Sequence, residues 1–166
     1  MRCLYRLLVL ISTILSFCQP FSFKVPSSTL TAGLTPPEAT RADIYRLTSP
    51  SVLQVTTTAL NRNLGSGSSF SISQDYLLTN HHVVERAISL QSLGSKVLLD
   101  GKEARVVNWS KEKDVALLHL PDGPPALKWG SSSTTIVGQD VHAIGSPFNL
   151  PSTLTTGVLS AKDREV

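Results

Sequence analysis

A chain of 166 residues with 41% hydrophobic side chains has the length of about one domain and the composition of a globular protein. Its formal charge of +3, from 15 basic against 12 acidic residues, comes without a basic stripe, so a nucleic-acid partner is excluded. The two cysteines, Cys3 and Cys18, lie at the N-terminus and leave the remainder without a thiol for a disulfide or a cysteine nucleophile.

Arg2 and Arg6 introduce an apolar run, Leu7 to Leu15, that is too short to span a bilayer. Ser16 and Cys18 follow with the spacing of a cleavage motif. Residues 1–18 therefore read as a secretory signal peptide, favoured over an uncleaved anchor by the shortness of the run. The string Leu15-Ser16-Phe17-Cys18 fails as a bacterial lipid-attachment box because Phe17 is too bulky. Without the leader, 13 basic residues face 12 acidic ones, so the excess charge belongs to the leader. Residues 19–39 form a second segment. Gln19 to Pro37 holds six Ser/Thr, one Lys and no acid, a composition that fits a disordered linker or a transit-like plastid targeting sequence. The expected destination is the secretory route, ending outside the cell or in a plastid or thylakoid lumen.

Residues 40–166 carry the pattern of a folded domain. Thr40 and Asp43 have the spacing of a capping box and predict a short helix, with Tyr45 and Leu47 as its apolar face and Ser49-Pro50 as its end. A β-branched run opens at Val52. Gly65 to Ser69 is small and flexible and suits a backbone making a tight approach or a bend. Phe70 to Ser73 and Tyr76 to Thr79 read as a hairpin turning at Gln74-Asp75. Further strands are predicted at Lys96 to Leu99, Ala104 to Trp109, Val115 to Leu120, Val141 to Ile144 and Leu154 to Leu159. Turn signals separate them at Asp100-Gly101, Asp122-Gly123-Pro124 and Gly130-Ser131. Many short strands without long helical periodicity predict an all-β antiparallel barrel or sandwich.

Asn80, His81 and His82 follow the hairpin directly, and Val83-Val84 follow them. A histidine at a hairpin exit, anchored by apolar neighbours, is held rigidly with its ring accessible, which suits a general base. Gly65-Ser66-Gly67, the hairpin, and Thr79-Asn80-His81-His82-Val83-Val84 together resemble the catalytic-histidine segment of the HtrA/Deg family of trypsin-like serine proteases. That resemblance implies a trypsin-like antiparallel double β-barrel, here the first barrel plus the start of the second. It also implies that His82, the residue before Val-Val, is the catalytic base, while His81 takes a variable position.

Taken alone, Asp114 is a loop residue ahead of an apolar strand, a common place for an aspartate. The string Asp114-Val115-Ala116-Leu117-Leu118, however, matches the family's catalytic-aspartate segment and lies 32 residues after His82. The implied role is to hold the imidazole in one tautomer and to stabilise the imidazolium. Asp100, Glu103, Glu112 and Asp122 read as solvated turn and edge residues. His119 and His142 sit inside strand patterns and read as packing or surface residues. The four histidines lack ligand-like spacing, which argues against zinc.

A third stretch, Val137 to Ala161, resembles the opening of the family's second barrel. Ala143-Ile144-Gly145-Ser146-Pro147-Phe148-Asn149-Leu150 and Thr153-Leu154-Thr155-Thr156-Gly157-Val158 carry that likeness, with a plant-type Deg flavour. Asn149 and Ser69 stand where Gly is frequent, and the hairpin at Asp75-Tyr76 is one Gly shorter than usual. The family's nucleophile sits in a G-N-S-G-G segment, and no part of these residues carries it. Ser66, Ser131, Ser146 and Ser160 lack the glycine context that builds an oxyanion hole. The expectation is thus an N-terminal fragment of a serine endopeptidase, inactive by itself, with unpaired edges where its barrel strands run out. The resemblance further implies unfolded or damaged protein substrates, a homo-oligomer when full length, and no cofactor. The alternative is a catalytically inactive binding protein on a protease-like barrel.

Overall fold

A computed structural model describes residues 36–146 and 152–163. The expected leader, most of segment 19–39, and Asn149 lie outside the described residues. The described residues open with helix α1 (Pro36–Thr48), which starts one turn earlier than the capping box at Thr40 and Asp43 predicts. The reason is backbone chemistry: Pro36 and Pro37 fix φ for a first helical turn, where a missing N–H costs nothing. Asp43 is consequently inside the helix, where its carboxylate accepts from Arg46 one turn on, at 3.2 Å. A 3₁₀ turn at Ser49–Ser51, with Pro50 in it, ends α1 as expected.

Six strands then close into an antiparallel barrel: β1 (Val52–Ala59), β2 (Arg62–Ser71), β3 (Tyr76–Thr79), β4 (Lys96–Leu99), β5 (Lys102–Ser110) and β6 (Val115–His119). Their order around the barrel is β1-β2-β3-β6-β5-β4, and β4 closes the ring on β1 with Val55 opposite Leu99. Of the two readings of Gly65 to Ser69 the bend is not made: the stretch is the middle of β2, paired with β1 from Gly65–Thr57 to Ser69–Leu53. Between β3 and β4 runs helix α2 (His81–Ser89), whose apolar positions Val83, Val84, Ala87 and Ile88 follow a helical period too short to announce itself. The β4–β5 turn is the expected one. Asp100 and Gly101 both have positive φ, +46° and +85°, the pair of left-handed residues a type I′ hairpin requires.

Strand alternation places Val55, Leu77, Val97, Leu99, Ala116 and Leu118 inside the barrel, with Val83, Val84 and Ala87 from α2 completing that core. Helix α2 touches β1, β2, β4, β5 and β6, a reach that a position across one mouth of the barrel provides. Beyond the barrel, β7 (Asp140–Gly145) and β8 (Thr153–Val158) pair as a separate two-stranded sheet. A second apolar cluster, Val52, Phe70 and Ile144 with Tyr45, Ile72, Leu78, Leu127 and Leu154 around them, joins this sheet and α1 to the outside of the barrel. The Tyr45 hydroxyl donates to the Ser152 carbonyl at 2.8 Å, and the Ser146 N–H donates to Ser68 Oγ at 2.8 Å. The first barrel therefore has no free edge. Among the described residues, unpaired edges fall on β7 and β8 alone.

Candidate active site

His82 and Asp114 are brought together by one ladder. Strand β3 delivers the chain to His82, and β6 begins immediately after Asp114. The two strands pair antiparallel with Thr79 opposite Ala116, so the residues just past those ends must meet. His82 Nδ1 lies 2.8 Å from Asp114 Oδ2, and the His82 backbone N–H donates to Asp114 Oδ1 at 2.9 Å. An ionised carboxylate only accepts, so in a neutral ring the proton belongs on Nδ1 and the lone pair on Nε2. The His82 side chain is 50% exposed, which leaves that nitrogen open to a reacting group.

Asp114 has a left-handed backbone, φ +49°. Burial pushes its carboxyl up, but the His82 N–H, the His82 ring and the Asn80 amide together outweigh this and hold it below the usual carboxylate value. Asn80 was not picked out by sequence reasoning. Its Nδ2 donates to the Asp114 main-chain oxygen at 3.1 Å and to Oδ2 at 3.0 Å. A second tie crosses the same junction on the solvent side, where Lys111 Nζ meets Glu85 Oε1 at 2.7 Å, lowering the Glu85 pKa and raising that of Lys111.

Gly67 explains the glycine of the motif. A Cβ built there would lie 2.6 Å and 2.9 Å from the two γ-methyls of Val83, the residue after His82. The close backbone approach expected of this stretch is real, although it occurs in a strand. The other histidines separate as expected. His81 is 5% exposed, and it is the neighbouring His82 whose ring meets Asp114. His119 rests beside the Tyr76 ring at 5.2 Å, and His142 Nδ1 lies 3.2 Å from Thr156 Oγ1. Of the four serines, Ser66 lies in β2, Ser131 and Ser160 are exposed, and Ser146 is 2% exposed with no hydrogen-bond partner for its hydroxyl among the described residues.

Residues 65–166 match the trypsin-like peptidase domain family. The chain is 36% identical over 139 residues to Protease Do-like 1, chloroplastic, of Arabidopsis thaliana, covering 74% of this chain and 31% of the relative. It is 46% identical over 108 residues to a probable periplasmic serine endoprotease, DegP-like, of Halomonas elongata, covering 62% and 21%. This chain belongs to the HtrA/Deg proteases. Their solved structures share its fold: Deg5 superposes with a TM-score of 0.66 at 29% identity over 80% of this chain and 68% of that one. A serine endoprotease of Yersinia pestis gives 0.60 at 28% identity over 83% and 46%. The chain spans about a third or less of the two curated relatives' length.

Proposed function

We propose that residues 40–166 are the base-bearing part of a serine endopeptidase acting on unfolded or damaged proteins, with His82 as general base and Asp114 as its orienting carboxylate. The observation that carries this reading is the 2.8 Å contact between Nδ1 and Oδ2, which leaves Nε2 as the basic nitrogen on an accessible ring. In the reaction, Nε2 takes the proton from a serine hydroxyl as its oxygen attacks the peptide carbonyl. The Asp114 carboxylate stabilises the imidazolium, which then returns the proton to the departing amine. The nucleophile belongs to the glycine-rich segment of the family fold, which the 166 residues do not include. Acid–base and nucleophilic chemistry account for every step, so the mechanism calls for no cofactor.

The leader at 1–18 directs the protein into the secretory route, with a plastid or thylakoid lumen or the exterior as destination. A chloroplastic and a periplasmic relative support that assignment. Assembly as a homo-oligomer in the full-length state follows from the family resemblance.

The test is labelling of the native gene product by a fluorophosphonate, which captures an activated serine. Labelling is expected in the native product, and His82→Ala should cut the rate by on the order of 10⁴-fold or more. Undiminished labelling in His82→Ala removes the base assignment. Absence of any labelling in the native product replaces the enzyme by a protease-like binding protein.

A further inference from the structure

Asparagine is among the best helix N-cap residues, because its side-chain oxygen takes an N–H of the first turn. Asn80 occupies the N-cap of α2 with the extended backbone the position requires, φ −74° and ψ 145°, yet its side chain makes no such bond. Its amide nitrogen reaches across to the main-chain oxygen and Oδ2 of Asp114 instead. The capping duty passes to Asp114, whose Oδ1 takes the N–H of His82, the second residue of the helix. Two side chains far apart in sequence have exchanged roles.

The exchange has geometric consequences. Both atoms facing the Asn80 amide are acceptors, so only its nitrogen end fits there. Its two hydrogens tie the carbonyl and the carboxylate of one residue, which removes the freedom of Asp114 to rotate. Asn80 is 2% exposed, so water does not compete for those bonds. The left-handed φ of Asp114 is uncommon for a residue with a side chain and needs surrounding bonds to hold it. With Oδ1 committed to the helix and Oδ2 drawn toward Asn80, the carboxylate presents one edge of Oδ2 to Nδ1.

We propose that Asn80 is a positioning residue that locks the rotamer of Asp114 and, through it, the Nδ1-protonated tautomer of His82. The proposal rests on the reading of His82 and Asp114 as a proton-handling pair. It is tested on the 166-residue chain with ¹⁵N-labelled histidine, at a pH well above the ordinary imidazole value of about 6.5. The His82 ring should show a protonated Nδ1 and a bare Nε2.

Asn80→Ser removes the bridge while keeping a residue suited to an N-cap, since serine is too short to reach both Asp114 oxygens. Helix content and thermal midpoint should stay near those of the parent, while the His82 signals shift to a mixture of the two tautomers. Asn80→Asp, another good cap, sets a second carboxylate against Asp114 and should also lose the parent tautomer. Parent-like tautomer signals in both variants overturn the proposal. Asp114→Asn serves as reference and should move the proton to Nε2. If it does not, the pair itself is misread. If it does while Asn80→Ser leaves the ring unchanged, only the role of Asn80 falls.

Discussion

Asp114 is the residue on which most of the site's bonds converge, and its titration links the site to the stability of the fold. Burial raises its pKa and the three donors lower it further than burial raises it. A carboxyl held below its unfolded value of about 3.9 contributes stability above that pH and loses it as pH falls through the folded value. Asp114→Asn should therefore flatten the acid limb of a urea-midpoint against pH curve. At neutral pH it should cost about 1 kcal/mol, the low end for a charge-assisted bond because the side chain is 39% exposed. At this scale the motif made His82 and Asp114 legible, since Val83-Val84 and Val115-Ala116 mark their places. Asn80 was not legible, because its amide acts on a group 34 residues away and a cap residue in sequence looks like a cap.

Between elements, the decisive contact is β2 against α2. Gly67→Ala should lower unfolding free energy by about 1–3 kcal/mol, since the new methyl must displace the γ-carbons of Val83. Gly65→Ala is its control: the added Cβ meets Thr57 Oγ1 at an ordinary 3.5 Å, so the change should stay within about 0.5 kcal/mol. Chemical denaturation of the two variants distinguishes a requirement for closeness from a requirement for flexibility. The strands at Lys96, Val115 and Val141 were readable because alternation and turn residues are local signals. Helix α2 was not, because nine residues hold little more than two turns and its period is easily lost beside two strands. The Gly/Ser run was half readable: the tight approach is there, against α2, and the bend is not, because the run lies inside a paired strand.

Across the whole molecule, the two apolar clusters give two levels of stability. Leu118 is wholly buried within the barrel, and Leu118→Ala should cost about 2–5 kcal/mol of global stability. Ile144 belongs to the cluster that docks β7 and β8, so Ile144→Ala should speed amide exchange in those strands while barrel amides keep their protection. Equal loss of protection in both regions would mean a single cooperative unit. Closure of the barrel had no local signature, since the β1–β4 pairing joins segments about 40 residues apart. That closure also sets an order of events at the ribosome. Every strand of the barrel, and both members of the His82–Asp114 pair, lie between Val52 and His119. Domains generally fold as units, N-terminal ones first during synthesis. The ribosome has therefore made every strand of the closed ring, and both His82 and Asp114, before it reaches Leu120.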